Sequence, residues 1–256
     1  STDLAETPFA GNVGVRYATT DVQATGYTSV GGGTQVVYDN DYDDWLPSLN
    51  LAWDVRDDLV LRFGAAKVMA RPQLASLNPG SGITFNTSGD ITARVGNPYL
   101  DPFRANTYDL SAEWYFADQS LLSLALFYKD IDTYIQEFRA SMPYEDTGLP
   151  LEWLPTGFDP QNSTDLRQWV NTPGGPLKGF EFGYQQPFTF LPGIWKNLGF
   201  QFSYTQVDSQ ITYGNSDVAN SDITFVNDLV NLSPTSYSAT LYYDDNRFSA
   251  RVSTAF

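Results

Sequence analysis

The chain has 256 residues, no cysteine, no histidine and a formal net charge of -16. Disulfides, thiolate or histidine-based catalysis, cysteine-based zinc sites and a basic surface for nucleic acid are thereby excluded. No run approaches the ~18 apolar residues of a membrane helix, but a transmembrane strand needs only ~9–11 residues and can be half polar.

The opening "STDLAETPFAGN" lacks the basic start and apolar stretch of a secretory signal, as in a processed chain or an internal fragment. From there, period-2 alternation predicts strands near 9–21, 45–56, 58–69, 105–117, 120–130, 177–188, 197–209, 234–243 and 247–256. Each carries one apolar stripe. Val13, Val15 and Tyr17 form the first. Leu49, Leu51 and Trp53 continue across a tight turn to Leu59, Leu61 and Phe63. Tyr108, Leu110 and Trp114 face Leu122, Leu124, Leu126 and Tyr128 across "ADQS". Phe180, Phe182 and Tyr184, then Phe200, Phe202 and Tyr204, then Tyr237, Leu241 and Tyr243, then Phe248 and Val252 complete the set. Helical turns are predicted at 164–170 and 225–231.

Connections alternate strictly between short and long. The short ones are 56–58, 117–120, 189–196 and 244–247. The long ones lie near 22–44, 70–104, 131–176 and 210–233. In an antiparallel meander all the short turns then share one end of the sheet. Long structureless loops are unusual in a compact soluble domain. The asymmetry is normal for an outer-membrane barrel.

Alternation alone cannot separate lipid from a protein core, because a soluble sandwich alternates too. Three features bear on the choice, of which the first, also found in a soluble sheet, only permits lipid. The charges within strands (Arg16, Asp54, Arg62, Asp109, Glu113, Glu181, Arg251) all fall opposite the apolar stripe. Aromatics gather at both ends of the stripes, with Trp53, Trp114, Phe116, Tyr243 and Phe248 near the short turns. Tyr17, Trp45, Tyr108, Tyr128 and Tyr204 lie toward the long loops, as in two interfacial girdles, the alternative being the ordinary preference of aromatics for strands. The polar face is rich in Ser, Asn, Gln, Thr and Gly, which suits a wet lumen. Lys67 falls on the apolar face by strict phase, so it either snorkels to headgroups or follows a bulge.

The ordered strings "DWLPSLNLAWDVRDDLVLRFGAAKVMARP" (44–72), "GNPYLDPFRANTYDLSAEWYF" (96–116) and "SLLSLALFYKDIDTYI" (120–135) carry a resemblance that covers nearly the whole chain. They are followed by "KGFEFGYQQPFTFLPGIWKNLGFQFSYTQVDS" (178–209) and "LSPTSYSATLYYDDNRFSARVSTAF" (232–256). The set resembles the barrel of TonB-dependent outer-membrane receptors, in the subgroup common in proteobacteria such as Caulobacter and Xanthomonas. The resemblance implies a barrel of about 22 strands filled by a plug, importing a scarce nutrient with energy delivered through TonB. The chain departs from that pattern in showing about nine strands, no plug and no TonB box. The expectation is therefore an all-β fold: part of an antiparallel up-and-down transmembrane barrel, forming an open curved sheet from the middle to later portion. Phe256 then marks a truncation within the barrel rather than the aromatic end read by the assembly machinery. The alternatives are a passive porin-like channel and a soluble secreted carbohydrate-binding β protein.

No catalytic constellation is present, and no cofactor is expected. Candidate ligand-binding residues in the outer loops are Arg71 and Arg94 for an anion, and Tyr99 and Phe103 for stacking on a ring. The resemblance gives the strings around 70–104 a structural reading instead. Trp153, Phe158 and Trp169 are aromatic recognition candidates that can equally pack the loop against itself. Arg62, Asp109, Glu113 and Glu181 are expected in the lumen, holding a plug or keeping the wall polar. Asp39, Asp41, Asp43 and Asp44 make a weak calcium candidate beside the ordinary reading of a solvated acidic loop. Expected partners are outer-membrane lipid, the receptor's own plug, TonB, and a small nutrient such as a siderophore, vitamin or oligosaccharide.

Overall fold

The structure is a computed structural model that describes residues 9–27, 33, 35–80, 82–86, 89–214, 224–245 and 247–256. The predicted opening segment 1–8 and the tips of the loops near 22–44 and 210–233 lie outside the described residues. In chain order the strands are β1 (Phe9–Tyr27), β2 (Gln35–Arg56), β3 (Leu59–Ala70), β4 (Gly82–Phe85), β5 (Ile91–Val95), β6 (Phe103–Ala117) and β7 (Ser120–Pro143). They continue with β8 (Ser163–Pro187), β9 (Leu198–Ser209), β10 (Ile211–Gly214), β11 (Thr224–Asn227), β12 (Thr235–Asp244) and β13 (Ser249–Ala255). One helical turn, α1 (Leu74–Leu77), precedes β4, and 3-10 turns occupy Tyr144–Thr147, Leu151–Trp153 and Gly193–Asn197.

Nine strands form one antiparallel path, β1-β2-β3-β6-β7-β8-β9-β12-β13. These are the nine predicted strands in the predicted order. The path is open: among the described residues β1 and β13 each have a single neighbour. It is neither a closed nine-stranded barrel nor a sandwich.

Cross-strand register puts every predicted apolar stripe on one face. A single ladder row runs Phe9, Trp53, Leu61, Ala112, Leu124, Phe182, Tyr204, Tyr237. This face is bare: Val13 is 81% exposed, Val15 63%, Leu126 47% and Val252 77%. Among the described residues, the two clusters of buried apolar side chains lie elsewhere, at the long-loop end. A soluble protein does not leave so large a contiguous apolar surface uncovered. The opposite face is concave, with a shallow cavity lined by Asn12, Asn50, Arg62, Asp109, Ser111 and Glu181. The apolar face is therefore the lipid face, and the polar one faces the lumen.

The girdles are real ring contacts. Tyr17 and Trp45 lie 4.8 Å apart, Tyr108 and Tyr128 6.3 Å, and Trp114 and Phe116 5.5 Å. At the short-turn end the Trp114 indole donates to Asp58 at 2.8 Å. The ladder row that meets the inner girdle at Trp53 reaches the outer girdle at Tyr204 and its partner Tyr237, five and six strands on. In β2 the outer girdle is Trp45, about eight residues along the strand from Trp53. With ~3.4 Å per residue and ~4.8 Å between strands, the strands tilt by roughly 45°, as in outer-membrane barrels. Beyond the outer girdle the lipid face turns polar: Lys67 pairs across the ladder with Asn106, and Asn106 with Asp130. β3 and β6 pair without a shift from Leu59 to Ala70, so no bulge reverses the phase at Lys67. The lysine sits at the edge of the apolar band.

Two expectations are corrected. The long connections are not structureless: β7 and β8 pair without a register shift from Leu121↔Gln185 out to Pro143↔Ser163, and β1 and β2 pair out to Tyr27↔Gln35. Outside lipid a strand no longer needs an apolar stripe, so alternation fades while the backbone ladder continues. The helical turns predicted at 164–170 and 225–231 are instead strand in β8 and, over Thr224–Asn227, in β11. Leu166 and Val170 mislead because a four-residue spacing shares a face in both a helix and a strand.

A cation on the lipid face near mid-membrane costs roughly 2–4 kcal/mol. Leu126→Arg is expected to lose about that much stability in chemical unfolding from lipid, whereas Ala125→Arg, one residue away on the lumen face, loses far less.

Candidate ligand-binding mouth

β3 and β6 stop short of their neighbours, which leaves a notch between the long hairpins β1–β2 and β7–β8. Residues 71–80 and 96–102 fill it. Gly26 and Gly80 make this possible: a Cβ on Gly26 would stand 2.4 Å from the Gly80 nitrogen. The string at 96–102 is tied to β8 by side chains. Asn97 donates to the Trp169 carbonyl at 3.1 Å, and Asp101 and Asn171 exchange two hydrogen bonds of 2.9 and 3.0 Å. Beneath it Leu77, Leu100 and Ile135 are buried, with Val22, Phe103 and Trp169 packed on them. Arg104 closes the notch, donating to buried Asp44 at 2.7 Å and to Asp101 at 3.1 Å.

The hairpin β4–β5 then reaches the far edge of β8 and adds β5 to it in parallel. Ile83, Ile91 and Ala93 pack with Tyr144, Trp153 and Leu166. The Tyr144 hydroxyl donates to the Pro150 carbonyl at 3.0 Å, and burial pushes its pKa up to about 12. A raised pKa means the fold favours the neutral phenol. That contribution is complete below the ordinary tyrosine value of ~10 and is lost as pH climbs through about 12. Loop 144–162 is expected to loosen between those two values, read as proteolytic sensitivity, and Tyr144→Phe removes this titration step.

This packing brings three arginines into line. Arg94 of β5 stands opposite Arg167 of β8, which stands opposite Arg139 of β7. β7 and β8 keep one register through this stretch, so Arg139 and Arg167 share a face with Trp169, which packs on Leu77 and Leu100 of the segment in the notch. Like charges in register repel. Two carboxylates offset this in part: Glu137 meets Arg139 at 2.6 Å and Asp165 meets Arg167 at 3.4 Å. Arg94 is exposed and makes no ion pair among the described residues, and the buried Arg167 Nε has no hydrogen-bond partner. The row can therefore accept an anion.

The predicted residues divide as follows. Arg94 lies in the row. Arg71 lies apart from it, donating to the Thr20 hydroxyl at 3.1 Å. Tyr99 is 58% exposed, with its ring edge-on to Tyr38 at 5.8 Å. Trp153 is buried, Phe158 packs edge-on against Phe85 at 4.9 Å, and Phe103 against Tyr134 at 5.6 Å. On the lumen wall Arg62 pairs with Glu113 at 3.2 Å, and the Tyr115 hydroxyl donates to the same carboxylate at 3.0 Å. Asp109 and Glu181 line the same cavity. Asp39, Asp41 and Asp43 occupy alternate positions of β2, roughly 7 Å apart along the strand, and do not converge; Asp39 accepts from Gln23 and Asp44 serves Arg104. Sequence reading missed Arg139 and Arg167. Extending the 120–130 and 177–188 hairpin outward in register would have set them opposite each other.

A family model described as TonB dependent receptor-like, beta-barrel matches residues 2–256. No curated protein sequence matches. Among solved structures, a mutant ferric enterobactin receptor of Pseudomonas aeruginosa is similar at 15% identity and a TM-score of 0.57 over 96% of this chain and 32% of that one. The Serratia marcescens hemophore receptor, solved as a double mutant with its hemophore and heme, gives 18% and 0.61 over 97% and 41%. The siderophore receptor PirA of Pseudomonas aeruginosa gives 18% and 0.54 over 95% and 39%. The chain thus spans about a third of the length of the first of these receptors. With the open tilted sheet, the bare apolar face and the polar lumen, the match over residues 2–256 means that the chain belongs to the TonB-dependent receptors, β-barrel proteins of the Gram-negative outer membrane.

Proposed function

We propose that the chain forms a sector of the wall and outer mouth of a larger receptor that imports an anionic nutrient. The observation that carries this reading is the cross-strand row Arg94–Arg167–Arg139 at the long-loop end of the sheet. Guanidinium groups pair carboxylate, phosphate or catecholate oxygens with directional, charge-assisted hydrogen bonds. An anionic iron chelate of the siderophore class fits this chemistry, and structural relatives include a ferric enterobactin receptor and a siderophore receptor. Tyr99, exposed beside the mouth, can stack on a ring of the ligand. Trp153, Phe158, Trp169 and Phe103 act from beneath, fixing the loops that carry the arginines. Arg71 supports β1 at the rim. Lower in the wall, Arg62, Asp109, Glu113 and Glu181 face a plug, whose movement under TonB lets the ligand through.

The test is binding of a panel to the complete receptor: anionic ferric chelates, a neutral ferric chelate and a neutral oligosaccharide. The anionic chelates are expected to bind with an affinity that falls as salt rises. Binding of the neutral oligosaccharide alone, independent of salt, contradicts the reading.

A further inference from the structure

We propose that the turn between β8 and β9, residues 188–197, is an interfacial anchor that inserts into the periplasmic leaflet of the outer membrane and binds phospholipid. The other short turns expose charge: Arg56 and Asp57, Asp118, and Asp244 with Arg247. This one exposes apolar bulk. Phe190 is 67% exposed, Ile194 65% and Trp195 58%. Soluble turns do not display three large apolar side chains within six residues without a partner.

The place of the turn says what that partner is. The Phe188 amide donates to the Leu198 carbonyl at 2.7 Å, one step beyond the Pro187↔Gly199 pair, so Phe188 and Leu198 continue the β8–β9 ladder. Both share the phase of Phe182 and Tyr204, so both stand on the lipid face. The Phe190 ring lies 5.9 Å from Phe188 and extends that face past the inner girdle. Asn197 donates to the Tyr243 hydroxyl at 3.2 Å and fixes the end of the turn to the girdle. The 3-10 turn Gly193–Asn197 carries Ile194 and Trp195 next to exposed Lys196. An aliphatic side chain, an indole and an ammonium on successive residues suit the boundary between acyl chains and phosphates: the indole favours the interface, and a lysine stem can lie on apolar surface while its charge reaches phosphate. Through Phe188 and Phe190 the turn joins the lipid face, and it carries a cation beside its exposed apolar residues. The inference rests on the lipid assignment of that face and is independent of the ligand proposed above.

The test uses the complete receptor in vesicles of phosphatidylethanolamine and phosphatidylglycerol. Spin labels are placed singly at Ile194→Cys and Phe190→Cys, both exposed positions, with Asp118→Cys as the control in a polar turn. Oxygen partitions into acyl chains and a nickel chelate stays in water. The expected result is an oxygen-to-nickel collision ratio several-fold higher at 190 and 194 than at 118. A ratio equal to that at 118 overturns the proposal, because the turn is then in water. Protection from both reagents also overturns it, because the turn is then covered by protein.

Discussion

Arg167→Ala is expected to weaken binding of an anionic chelate to the complete receptor by roughly 10- to 100-fold, the effect of removing one hydrogen bond to a charged group worth ~1.5–3 kcal/mol. Arg167 is the central member of the row, with Arg94 on one side and Arg139 on the other. Its loss removes the guanidinium that can share a ligand with either neighbour. It also removes two like-charge contacts, so the mutant mouth is not expected to be less stable. Asp165, left without Arg167, is half exposed and stays hydrated. The loss should therefore appear in affinity and not in unfolding, and the salt dependence of binding should become shallower. Arg71→Ala, at the rim and outside the row, is the control and should leave affinity within a few-fold. Isothermal titration of the two variants with the same chelate checks both expectations.

Asp44→Ala is expected to be the most damaging change to the mouth itself. Asp44 is 4% exposed and meets Arg104, which is 21% exposed, at 2.7 Å. Breaking a buried pair by removing one partner costs about 3–5 kcal/mol, and the partial exposure of Arg104 puts this site near the lower end. The loss falls on the segment that Arg104 and Asp101 pin into the notch, so residues 71–102 should become protease-sensitive while the membrane-embedded ladder stays intact. Asp44→Asn keeps an acceptor and should cost less. Combining Asp44→Leu with Arg104→Met removes both charges, and much of the stability should return. Limited proteolysis of the single and double variants measures this coupling. If Asp44→Ala leaves the segment as resistant as before, the clamp has no such role.

The membrane-embedded half of the fold was legible because lipid imposes the pattern. Every strand that crosses it needs an apolar side chain at alternate positions, so Leu49, Leu51 and Trp53 mark one face whatever lies beside them. The girdles were legible for the same reason, and Lys67 was awkward only because it stands where the band ends. Outside lipid that constraint disappears. Residues 131–143 and 163–176 read as loop because Thr133, Gln136, Asn171 and Thr172 alternate with nothing, yet the backbone pairing continues through them. The arginine row was illegible for a further reason. Its members come from three segments, and only the parallel docking of β5 on β8 aligns Arg94 with the other two. Trp153 and Phe158 show the limit of composition: an aromatic in a long loop has the same letter whether it faces a ligand or, as here, the inside of its own loop.

The central claim, that one face of this sheet meets lipid and the other the lumen, is tested most directly by single spin labels along β7 in the lipid-embedded receptor. The chain has no cysteine, so each introduced thiol is its own reporter. Labels at Leu124→Cys and Leu126→Cys should collide with oxygen and be shielded from a nickel chelate, while Ser123→Cys and Ala125→Cys show no lipid signature. A lipid signature in the opposite phase, or none that alternates, contradicts the account.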